Sequence, residues 1–120
     1  MLEKIEKMTN NKIPAEIKNL IRNTKFLTIP IDGYYEEITI PSDVEIIEMF
    51  EEQKNLFGYD IVPFAILDDD FICIHFKGER VTVIYWSSEL ALESTQMAIF
   101  ELFPSIENFM NEIKNVRKKI

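Results

Sequence analysis

Apolar residues near the start of the chain recur at helical spacing. In PAEIKNLIRN, Ile17, Leu20 and Ile21 share one face and Pro14 suits a first helical position, which predicts a short amphipathic helix that Leu2, Ile5 and Met8 extend upstream. The period then changes from helix to strand. KFLTIPI and YYEEITI are two β-rich runs joined by Asp32-Gly33, a dipeptide suited to a two-residue hairpin turn with positive φ. Pro30 cannot donate to a ladder, so the first of these strands is an edge or ends early. SDVEIIEMFEEQ returns to a helical period. Ser42 and Glu45 form a capping-box pattern, and Val44, Ile47 and Phe50 or Glu51 follow at helical spacing, which predicts a helix over 42–55.

After Gly58 come three more β-rich runs, DIVPFAIL, FICIHFK and RVTVIYW, separated by Asp68-Asp69-Asp70 and by Gly78-Glu79. That order predicts a meander. A two-residue turn at Gly78-Glu79 sets Lys77 opposite Arg80, His75 opposite Thr82, Cys73 opposite Ile84 and Phe71 opposite Trp86 on one face. The other face, with Ile72, Ile74, Phe76, Val81, Val83 and Tyr85, is the predicted core. The first face is mixed, so it is either covered by a helix or offered to a partner. Residues 87–102 have apolar runs without a clean period and predict a loop with one short element. From Pro104 on, Ile106, Phe109, Met110 and Ile113 fall on one face of a C-terminal helix that ends in cations.

Charge is unevenly placed along these elements. The net charge is -8, and residues 32–70 hold twelve Asp or Glu against Lys54 alone, whereas the final KNVRKKI is basic. Such an acidic block disfavours a phosphate backbone and attracts basic proteins, which argues against direct nucleic-acid binding. It also simply keeps a protein soluble. At 120 residues, the chain is long enough for one domain over 1–120 with a core of its own. It contains no apolar run long enough for a membrane span, no secretory signal pattern and a single cysteine, which together predict a cytoplasmic protein.

Chemistry finds little foothold in this pattern. Asp68, Asp69 and Asp70 lack the spaced oxygens, the glycine and the closing acid of a calcium loop, so they predict a polar turn. A turn needs fewer than three aspartates, which leaves a partner-binding role for the rest. Cys73 and His75 are two apart on a strand, about 6.6 Å along the backbone, and zinc would want three or four ligands. The only histidine has no nucleophile elbow beside it, and the isolated glycines at 33, 58 and 78 build no phosphate loop. Neither catalysis nor a cofactor is expected. Tyr34, Tyr35 and Tyr59 are candidate interface anchors, as is Trp86 unless that strand-end indole is core.

The order of features resembles the SUKH superfamily, named for a yeast cell-wall synthesis regulator and containing many bacterial toxin-immunity proteins. Pro63-Phe64-Ala65, Asp68 to Asp70, Cys73, Val83-Ile84-Tyr85-Trp86 and Ser105-Ile106-x-x-Phe109-Met110 match in order. The chain departs from the usual pattern in having NTKFLT and ILDDDF where glycines are common. The resemblance implies an α+β domain with a bent antiparallel or mixed sheet flanked by N-terminal and C-terminal helices, and no catalysis. It further implies a partner: a cognate bacterial toxin, often a nuclease, with a basic surface to be covered. Tyr34, Tyr35, Glu36, Glu37, Asp68, Asp69, Asp70 and Trp86 are the expected partner-binding residues. A regulatory or scaffolding domain that binds without inhibiting a toxin is the other reading.

Overall fold

The computed structural model describes residues 1–119, so Ile120 at the end of the basic tail lies outside it. Helices α1 (Glu3–Thr9) and α2 (Ala15–Asn23) lead into β1 (Phe26–Ile31) and β2 (Tyr34–Thr39). Then come α3 (Asp43–Phe57), β3 (Ile61–Leu67), β4 (Asp70–Lys77), β5 (Arg80–Trp86), α4 (Ser88–Ala91), β6 (Ile99–Phe103) and α5 (Ile106–Lys119). The strands form one curled antiparallel sheet in the order β1-β2-β3-β4-β5-β6, so each strand neighbours the next in sequence. Between the antiparallel and mixed alternatives, the sheet is antiparallel throughout.

The turn residues act as their chemistry requires. Asp32 and Gly33 both have positive φ, 50° and 83°, and set Ile31 opposite Tyr34. Pro30 lies within β1, an edge strand, where its missing N–H falls on the side away from β2. All of the pairs expected from a Gly78-Glu79 turn are present, from Lys77 opposite Arg80 to Phe71 opposite Trp86. Ser42 caps α3 by accepting from the Glu45 N–H, and its hydroxyl lies 3.0 Å from the Glu45 carboxylate.

Two apolar clusters lie on opposite faces of the sheet. The larger joins Ile72, Ile74, Phe76 and Val83 to Leu27, Ile29 and Ile38 of the first hairpin, under Ile5, Ile17, Ile46, Phe50, Phe109 and Ile113 of the helices. The smaller joins Cys73, Ile84 and Trp86 to Phe57, Ile61 and Ala98. Phe57, at the end of α3, meets the Trp86 indole edge-on with ring centres 4.5 Å apart. The mixed face is therefore covered at its aromatic end, and Trp86, 2% exposed, is core rather than an interface anchor.

Three local expectations need correction. Leu2, Ile5 and Met8 do not extend α2; Ile5 and Met8 belong to a separate helix that Leu2 precedes as its N-cap and that Asn10 ends in the left-handed conformation, φ 55°. Pro14 caps α2 in an extended conformation instead of opening its first turn. Val44 is exposed, and α3 buries Ile46, Ile47, Phe50 and Phe57. The two N-terminal helices are joined by buried Glu6, which accepts from the Ile13 N–H at 2.8 Å and pairs with Lys18 at 3.2 Å. No helix of the described residues is long and apolar enough to cross a membrane.

Candidate acidic cleft

The first hairpin stays with the main sheet only at its base. All six residues of β1 pair with β2, but β2 meets β3 at a single pair, Thr39 opposite Ile66. Beyond that pair the hairpin tip projects past the β3–β4 turn. A cleft of about 840 Å³ opens there, lined by Asp32, Tyr34 and Glu36 of the hairpin, Asp68 of the turn, Asp70 at the start of β4, and Tyr85, Phe100 and Glu101 of the last strands. Among the described residues, no Lys or Arg lines it. Among the described residues, Asp32, Glu36 and Asp68 have no cation within 4.0 Å, whereas Glu101 lies 3.8 Å from both Lys77 and Arg80.

The three consecutive aspartates divide the work. Asp68 takes the left-handed conformation, φ 55°, that lets the chain reverse between β3 and β4. Asp69 is exposed and does not line the cleft. Asp70 is a latch between strands: one carboxylate oxygen accepts from the Tyr85 hydroxyl and the other from the Ser88 N–H at 2.8 Å. The Ser88 hydroxyl adds a bond to the Asp69 carbonyl oxygen at 2.6 Å. Burial, the Asp70 hydrogen bond and the charges of Asp70, Asp68 and Glu36 raise the Tyr85 pKa, in that order, so Tyr85 stays a neutral donor at physiological pH. Asp70→Ala is expected to cost about 1–3 kcal/mol, because it strands the Tyr85 hydroxyl and the Ser88 N–H. Asp69→Ala should stay within about 0.5 kcal/mol. Urea midpoints compare the two, and equal midpoints would remove the latch.

The expected partner residues separate in space. Tyr34, Glu36, Asp68 and Asp70 come together in the cleft, and Tyr34 is 71% exposed. Tyr35 and Glu37 are exposed on the opposite face of the same hairpin, because Ile38 and the alternate residues Glu36 and Tyr34 take the inner one. Tyr59 is exposed after α3 and lines no part of the cleft. Sequence reasoning missed Asp32, Tyr85, Phe100 and Glu101. For Tyr85 and Asp32 a signal existed in the strand register and the turn dipeptide, but β6, which brings Phe100 and Glu101, gave none.

Elsewhere the ionisable groups are poorly placed for chemistry. Cys73 is fully buried, and burial pushes its thiol pKa up, away from thiolate formation. Among the described residues no three His, Cys, Asp or Glu side chains converge as metal ligands would. His75 and Thr82 face each other across β4 and β5, and His75 Nδ1 and Thr82 Oγ1 are buried without a hydrogen-bond partner among the described residues. Burial, then the Lys77 charge, lower the His75 pKa below its ordinary 6.5. The unfolded chain therefore takes up that proton first, and stability falls as pH drops through 6.5 toward the folded value. Thermal melts at pH 7.5 and 5.5 should show a smaller loss for His75→Gln than for the unsubstituted protein, and equal losses would contradict this.

The comparison with family models gives a match to the SMI1 / KNR4 family (SUKH-1) over residues 1–112. No curated protein matches the chain.

Proposed function

The chain belongs to the SMI1 / KNR4 family (SUKH-1), which includes toxin-immunity proteins and regulators, and we propose that this member is a cytoplasmic immunity protein. It acts without catalysis, by binding a cognate toxin with a basic surface, and a nuclease domain is the toxin class that fits best. The observation that carries this reading is the cleft itself. Among the described residues, three carboxylates without a neighbouring cation, Asp32, Glu36 and Asp68, stand beside the exposed Tyr34 ring in a concavity that no basic residue lines. A nuclease concentrates cations where it holds phosphates, so an acid-lined concavity matches that surface and competes with its substrate.

Co-expression with a toxin encoded beside it tests the proposal. Growth should be rescued, and the two proteins should co-purify as a stable complex with the toxin's activity suppressed. A complex that leaves the partner fully active would favour the regulatory alternative, and no association with a neighbouring gene's product would overturn the immunity reading.

A further inference from the structure

The tip of the first hairpin leaves main-chain groups of β2 without a strand beside them. In a two-residue hairpin the residues flanking the turn, Ile31 and Tyr34, bond to each other, and alternate residues of β2 continue that ladder. Tyr34, Glu36 and Ile38 therefore direct their N–H and C=O groups at β1. Those of Tyr35 and Glu37 turn the other way, where among the described residues no strand is registered against them, because β3 meets β2 only at Thr39. The opposite edge of the hairpin is blunted by Pro30, and α5 packs against β1. Among the described residues, the edge on the cleft side carries no such protection.

From this arrangement we infer that the toxin engages the hairpin by strand addition, placing an extended basic segment along the free edge of β2 where β3 has turned away. The inference rests on the proposed immunity function and specifies how the cleft is used. A free edge accepts an extended chain through main-chain hydrogen bonds, and the side chains of the added strand alternate between faces. On the inner face they would meet Tyr34, Glu36, Asp32 and Asp68, three of them carboxylates without a cation within 4.0 Å among the described residues. On the outer face they would lie beside Tyr35 and Glu37, both exposed. The complementary pattern is a cation at every second position, with residues of high strand propensity between them. Tyr34 to Ile38 offers an edge of about 17 Å at roughly 3.3 Å per residue, enough for one short strand.

The probe is a nine-residue, end-capped peptide of alternating lysine and valine, compared with a peptide of the same composition in which the lysines form one block. The full chain is labelled with ¹⁵N for the titration. Strand addition predicts that the alternating peptide binds at least tenfold more tightly than the blocked one. It also predicts slowed amide hydrogen exchange at Tyr35 and Glu37 on binding, with little change at Tyr34 and Glu36. Tyr35→Pro, which removes an N–H on the free edge and none from the ladder to β1, should weaken binding about fivefold beyond Tyr35→Ala, the share of one net hydrogen bond. Melting curves serve as the control that both variants fold. Equal binding of the two peptides, with unchanged exchange at Tyr35 and Glu37, overturns strand addition and leaves the cleft as a purely electrostatic toxin surface. Binding of neither peptide also overturns it, and the immunity reading is then decided by toxin rescue alone.

Discussion

Ile74→Asp is expected to leave no folded protein at 25 °C. Ile74 is fully buried in the larger cluster, opposite Val62 on β3 and Val83 on β5, so its side chain has apolar neighbours on both flanking strands. Removing the Ile side chain costs about 2–5 kcal/mol, and an unpaired carboxylate in its place adds several more. A domain of this size has a total stability of about 5–15 kcal/mol. The substitution removes most or all of it. Circular dichroism should show no cooperative melt, whereas Lys77→Asp on the same strand, exposed and on the other face, should melt within a few degrees of the unsubstituted protein. An Ile74→Asp protein that melts normally would mean that the strand is shifted by one residue, since that shift exchanges its faces.

That register could be read from the sequence because two local signals agree there. Gly78-Glu79 specifies a short turn, and residues of β4 and β5 on either side of it separate into an apolar and a mixed set at period two. The first hairpin is legible for the same reason, through Asp32-Gly33, and α3 through its capping box. The strand β6 is not, because IFELF is short, leaves Phe100 and Glu101 exposed, and gains its conformation from pairing with β5. Nor could the sequence decide whether the face with Trp86 is covered. The covering residues are Phe57, at the far end of α3, and Ala98, in a segment without periodicity.

Asp68, Asp69 and Asp70 mark the limit more sharply. They are identical in composition and adjacent in sequence, and they end up lining a cleft, facing solvent and latching two strands. What separates them is the parity of β4 and the approach of Tyr85 and Ser88 from residues fifteen and eighteen positions away. The cleft itself depends on an absence of pairing, since β2 has no register with β3 over residues 34–38, before Thr39, and no local signal exists for that.

The second large effect concerns encounter with the toxin. Asp32→Asn, Glu36→Lys and Asp68→Asn combined should slow association about 10- to 100-fold at low ionic strength, with the fold intact. The choice of residues follows from the backbone. Asp32 and Asp68 have φ of 50° and 55°, a conformation asparagine tolerates well, while Glu36 lies in a strand that accepts lysine. Asp70 is spared because its carboxylate holds Tyr85 and Ser88. Charge acts mainly on the approach, so dissociation should change less and the difference should contract toward physiological salt, where the Debye length is about 8 Å. Tyr34→Ala should do the reverse. It removes an exposed ring at the cleft and leaves the field unaltered, so it should raise the dissociation rate by tenfold or more at any salt. Stopped-flow measurements with the toxin domain across a salt series separate the two effects. An association rate that is unchanged and independent of salt in the charge variant would place the toxin contact away from this cleft, and with it the electrostatic basis for reading the protein as a toxin inhibitor would fall.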